Sequence, residues 1–135
     1  TKKIHAWNAQ LRVNYSYQKS LDVSDNGSSL YKTQLPYTPV HSGSMMWQVT
    51  VHQLELSVSG LFSSYRYRLG DPIADNLVKE WASFEVYAAH PFQASKNIYC
   101  KPFVSLNNIF NQQYEVIRFY PMPRFNYRLG ITIHL

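Results

Sequence analysis

The chain has 135 residues, enough for one domain; 45% of them are hydrophobic, 16% are aromatic and only 16% are charged, below the usual quarter. No apolar run approaches the ~20 residues of a membrane-crossing helix, a test that is blind to membrane strands, whose lumen-facing residues dilute any hydropathy average. The net charge of +5 is spread along the chain without a basic patch or a known module, so no nucleic-acid partner is expected. The surplus reads as a polar lumen and loops rather than as attraction for an anionic ligand or a lipopolysaccharide surface. A single cysteine, Cys100, excludes an intrachain disulfide and a cysteine-based metal site. Thr1-Lys2-Lys3 lacks the apolar stretch of a signal peptide.

The first strand is the clearest element. From Trp7 the odd positions read Trp7, Ala9, Leu11, Val13, Tyr15 and Tyr17, and the even ones Asn8, Gln10, Arg12, Asn14, Ser16 and Gln18. Strands send alternate side chains to opposite faces, so one face is apolar and the other polar. Some twelve alternating residues exceed the usual five or six and suit the about 9–11 that cross a tilted barrel wall. Trp7 at one end and Tyr15 and Tyr17 at the other read as two aromatic girdles. A charge on a lipid face costs about 2–4 kcal/mol at the midplane; Arg12 falls on the polar face.

A long connection follows from about Lys19 to Ser42, with turn chemistry at Asp25-Asn26-Gly27-Ser28. A loop of this length is functional or mobile in most domains. The second strand, about Gly43 to His52, sends Met45, Trp47, Val49 and Val51 outward. After a tight turn at His52-Gln53 the third sends Leu54, Leu56, Val58, Gly60 and Phe62 outward and Glu55, Ser57 and Ser59 inward. Past Phe62 the parity slips, and Tyr65 and Tyr67 fall on the polar side. A loop around Gly70-Asp71-Pro72 leads to a fourth strand from about Val78 to His90, with Glu85 inward. Pro91 to Asn97 reads as a short polar turn. A fifth strand runs from about Ile98 to Ile109, although Pro102 removes a ladder donor in mid-wall. After a loop from Asn111 to Pro123, Phe125, Tyr127, Leu129, Ile131, Ile133 and Leu135 alternate with Asn126, Arg128, Gly130, Thr132 and His134 to the last residue. Long and short connections thus alternate, as long extracellular loops and short periplasmic turns do in outer-membrane barrels.

Asn108-Ile109-Phe110-Asn111 followed by Tyr114 resembles the N-L-F-x-x-x-Y stretch near the end of TonB-dependent outer-membrane receptors. Leu35-Pro36-Tyr37-Thr38-Pro39-Val40-His41 resembles their P-x-x-P-x-H element before a descending strand. Pro121, Pro123 and Arg124 resemble the last extracellular loop. Arg128, Gly130, Ile133 and Leu135 resemble the C-terminal barrel-assembly signal, with Leu135 where the family usually has an aromatic residue. The resemblance implies an all-β fold: residues 1–135 as the C-terminal part of a transmembrane barrel in the bacterial outer membrane, without its plug. About six strands cannot close alone, since the smallest bacterial barrels have about eight and plugged receptors about 22, and open edges do not survive in lipid. The expected partners are therefore the remaining strands and plug of the same receptor, supplied by another segment or chain. Beyond them stand the TonB complex acting through that plug, and outer-membrane lipid and lipopolysaccharide, with room for a surface lipoprotein. A proteolytic fragment, a split receptor and a partial chain all fit this reading. The implied activity is active uptake of a scarce nutrient such as a ferric siderophore, haem, cobalamin or a glycan, with no bond made or broken and no cofactor.

Aromatics beside an arginine can stack on and pair with an anionic or planar ligand, which makes Tyr114, Arg118, Phe119 and Tyr120 the ligand candidates, with Tyr31, Tyr37, Tyr65, Arg66 and Tyr67 on the same rim. Packing of the loop over the mouth explains them equally well. Arg12, Glu55, Glu85 and Arg128 share the polar face and read as lumen and plug contacts. The pair Glu55 and Glu85 lacks the nucleophile or histidine that acid–base chemistry would need. His5, His41, His52, His90 and His134 show no ligand spacing. Two other classes also produce alternation. A soluble antiparallel barrel or sandwich carrying a small ligand would fold its apolar face inward. A barrel enzyme would need Ser or Asp beside His at a strand end.

Overall fold

A computed structural model describes residues 7–135, and His5 lies outside the described residues. The chain is all-β and antiparallel. Its main sheet contains β1 (Trp7–Tyr17), β2 (His41–Val51), β3 (Leu54–Ser63), β6 (Trp81–Ala89), β7 (Phe92–Ser95), β8 (Ile98–Asn107) and β11 (Asn126–His134). Their order is β1-β2-β3-β6-β8-β11, with β7 also on β8. Two small ladders stand apart, β4 (Arg66–Tyr67) with β5 (Leu77–Val78) and β9 (Glu115–Ile117) with β10 (Tyr120–Pro121).

The register carries the sequence alternation across the whole sheet. Leu11, Trp47, Val58, Val86, Leu106 and Tyr127 form one cross-strand row, and Ala9, Val49, Leu56, Ala88, Val104 and Leu129 form another. This face holds no Asp, Glu, Lys or Arg. The other face holds rows such as Arg12, Met46, Ser59, Glu85, Asn107 and Asn126. The apolar face is uncovered: Leu11 is 64% exposed and Leu129 70%, and the buried hydrophobic residues are Val78, Ala89 and Cys100. A sheet ordinarily packs one face on a second layer; here the described residues supply none. Among them, β1 and β11 each have a strand neighbour on one side only.

Three sheet glycines make the same local contact. Gly43, Gly60 and Gly130 lie directly opposite Phe62, Phe84 and Phe103, whose rings fill the space a Cβ would take. Gly60 and Gly43 flatten the apolar face under their phenylalanines, and Gly130 does so on the polar face.

Residues 18–40 (L1), 64–80 (L2) and 108–125 (L3) all leave one end of the sheet, and the short turns leave the other. The turn between β2 and β3 is the expected two-residue one, with His52 at φ 55°. Three expectations need correction. The stretch from Pro91 to Asn97 is not a plain turn, because Phe92–Ser95 pairs with β8. The ladder on β8 breaks at His90 and Pro91 and resumes in the same register, from Ala89↔Phe103 on β6 to Phe92↔Cys100 on β7, with the His90 N–H donating to the Pro102 carbonyl across the gap at 3.2 Å. The fourth strand begins at Trp81 rather than Val78, since Leu77–Val78 pairs with Arg66–Tyr67 in the small ladder. The fifth strand ends at Asn107, where left-handed Asn108, φ 50°, turns the chain into L3.

Candidate ligand-binding mouth

L3 is built on its asparagines. Asn108 and Asn111 both have left-handed backbone, φ 50° and 54°, a conformation that Asn tolerates better than most residues. Asn108 is only 4% exposed and its amide is fully used. Its Nδ2 donates to the carbonyls of Gln112 at 2.8 Å and Pro123 at 3.1 Å, and its Oδ1 accepts the Gln112 N–H at 3.0 Å. One side chain thus ties the loop's start to its end. Asn111 Oδ1 accepts the Phe125 N–H at 3.1 Å. Two bonds then tie the loop to β6: the Ala82 N–H donates to Gln112 Oε1 at 3.0 Å, and the Ile109 N–H donates to the Phe84 carbonyl at 3.1 Å. Tyr114 lies over Trp81, ring centres 4.7 Å apart and planes within 25°. Because Trp81 belongs to the polar face, L3 is folded inward over that face.

Beyond Tyr114 the chain makes the β9–β10 hairpin. Its tip is held by Glu115, whose carboxylate accepts the Phe119 N–H at 3.1 Å and pairs with Arg118 at 3.3 Å. Phe119 has φ 71° and is 64% exposed, a strained conformation for a bulky residue. The Arg118 guanidinium lies 4.8 Å from its ring centre and that of Arg68, from L2, 5.5 Å. Tyr120 is exposed beside it.

L2 reaches L3 through Arg66, which is 6% exposed. It donates to the carbonyls of Val116 and Glu115 and to Ser63 Oγ. Burial pulls its pKa below the usual guanidinium value, and the nearby Tyr37 opposes that shift. L1 joins at the same place, because the Tyr37 N–H donates to the Tyr67 carbonyl at 2.8 Å. The Tyr67 ring meets Tyr65 edge-on at 6.0 Å.

The ligand candidates therefore separate. Tyr114 and Arg118 border one cleft of about 480 Å³ together with Lys79, Glu80, Gln112 and Glu115. Phe119 and Tyr120 form the neighbouring hairpin tip. Tyr37 and Tyr67 sit at the L1–L2 junction. The cleft offers amides, charges of both signs and a tyrosine, groups that hold a polar ligand without covalent chemistry. The three loops carry seven basic residues, Lys19, Lys32, Arg66, Arg68, Lys79, Arg118 and Arg124, and six acidic ones, Asp22, Asp25, Asp71, Asp75, Glu80 and Glu115. The loop charges nearly cancel, so the mouth carries little of the chain's basic surplus.

Arg12, Glu55, Glu85 and Arg128 all lie on the polar face. Glu85 accepts a hydrogen bond from the fully buried Ser105 at 2.9 Å, and Glu55 pairs with Lys101. Arg12 and Arg128 are exposed there. His41 is engaged by Tyr15, whose hydroxyl lies 2.7 Å from Nδ1, and by the Tyr17 ring. His52, His90 and His134 are at the opposite end of the sheet. Among the described residues no three His, Cys, Asp or Glu side chains converge as a metal-binding group. Trp81 and Gln112 escaped the sequence reading, which placed Arg66 only on the rim; the roles of all three come from contacts between loops that periodicity does not encode. No protein-family model and no curated protein matches this chain.

Proposed function

We propose that the chain is wall and outer-loop material of a TonB-dependent transport receptor in the bacterial outer membrane. Its partners in this reading are the other strands and plug of the receptor, the TonB complex acting through that plug, and the surrounding lipid. The observation that carries the reading is the apolar face, continuous from β1 to β11, free of charge and uncovered, with all three long loops at one end of the strands. Such a face suits acyl chains, and the polar face with Arg12, Glu55, Glu85 and Arg128 suits a wet bore. Both open edges then require strands from elsewhere. The motifs in L1, L3 and β11 narrow this to the receptor family, and the mouth built by L1, L2 and L3 is where a scarce nutrient would be captured.

Site-directed spin labels test the lipid assignment in the intact protein in bilayers. Labels at Leu11 and Leu129 should collide with oxygen dissolved in the acyl region, and labels at Gln10 and Thr132 with a water-soluble nickel chelate. A detergent-independent protein whose Leu11 and Leu129 labels meet neither reagent would replace this reading with the soluble carrier.

A further inference from the structure

The three loops meet at residues 66–68. Arg66 reaches into L3, the Tyr67 carbonyl holds L1, and Arg68 lies over Phe119. Arg66 is the buried member of this group, and it donates to two hairpin carbonyls and a serine hydroxyl. A guanidinium has a rigid fork of donors that can serve several acceptors at once, which an ammonium on a flexible stem cannot copy. Removing it leaves two part-buried carbonyls of the β9 strand without this donor. We propose that Arg66 is the positioning residue of the mouth: it pins the stem of hairpin β9–β10 against β4–β5 and keeps the cleft beside Tyr114 in shape without touching a ligand. The strain lies elsewhere, at Phe119 on the exposed tip. The hairpin thus has a stem pinned by Arg66 and a tip held separately by Glu115. What the mouth captures rests on the receptor reading above; the pin itself does not.

Hydrogen–deuterium exchange on the intact protein, without ligand, tests it with Arg66→Met, Arg66→Lys and Phe119→Gly. Arg66→Met should speed exchange of residues 114–121 about tenfold or more while β2, β3 and β8 keep their protection. Arg66→Lys should recover little of the loss, and it supplies the same reading if the methionine variant does not assemble. Phe119→Gly should leave the stem within about twofold of the parent. Unchanged exchange in 114–121 after losing Arg66 overturns the proposal, as does an equal rise in the wall strands. Because this readout concerns loops alone, its failure is separate from a failure of the spin-label test of the lipid face.

Discussion

Phe103 covers Gly130 from directly across the β8–β11 ladder and also stacks with Tyr87, ring centres 5.8 Å apart. A methyl group at Gly130 would run into the Phe103 ring and push it from Tyr87. Gly130→Ala should therefore destabilise the assembled protein by about 1–3 kcal/mol, the usual cost of overpacking. Phe103→Leu should recover part of that loss in the double variant. Gly43→Ala should be worse than Gly130→Ala, because its Cβ would also come within 2.8 Å of the Asn14 carbonyl, which is backbone and cannot swing away. Denaturant midpoints of the variants check the ranking.

The two faces of β11 should respond oppositely to charge. Leu129→Arg places a guanidinium on the uncovered apolar face and should cost about 2–4 kcal/mol if acyl chains lie there near midplane. Thr132→Arg, on the polar face, should cost far less. The fraction of protein that assembles into a heat-modifiable, detergent-extracted form measures both. Equal effects would contradict the sidedness.

Asn108 should be hard to replace. Asn108→Ala strands two carbonyls and one N–H and also strains the left-handed backbone, with an expected loss of about 1–3 kcal/mol for an unsatisfied buried group. Asn108→Gly relieves the backbone but not the hydrogen bonds, so it should recover only part. Exchange of the Gln112 amide reports the loss directly.

Asp22 in L1 titrates below its ordinary value of 3.8 because the Ser24 hydroxyl and then the Ser24 N–H donate to its carboxylate. A lowered folded-state pKa stabilises the loop above the unfolded value, and that contribution fades as pH falls through the folded one. Ser24→Ala should raise the Asp22 midpoint toward 3.8 in a carboxyl-carbon NMR titration. An unchanged midpoint would show that the backbone bond alone holds it.

Much of the main sheet was legible because period-two alternation survives in each long strand. The facing of Leu11, Trp47, Val58, Leu129 and their polar neighbours followed from parity, and so did the alternation of long and short connections. Pairing was less legible where composition misleads. Phe92–Ser95 lies between Pro91 and a polar turn, which hides a strand whose partner is set by register with Cys100. The Asn108 motif was visible as a pattern, but its work as a knot between Gln112 and Pro123 appears only in three dimensions. Arg66 could be placed only on the rim, because the hairpin carbonyls it holds lie some fifty residues away, beyond any local signal.

The row that starts at Arg12 arrives at Asn126, the loop-side end of β11, although β1 runs on five residues past it to Tyr17. Five residues lost over the five strand-to-strand steps is a stagger of one per step. With a rise of about 3.4 Å and a spacing of about 4.8 Å, that offset leans level-ended strands by about 35°, within the usual slant of closed barrels. A leaning strand the length of β1 then covers about 28 Å of height, close to the roughly 25 Å greasy belt that such walls present to a bilayer.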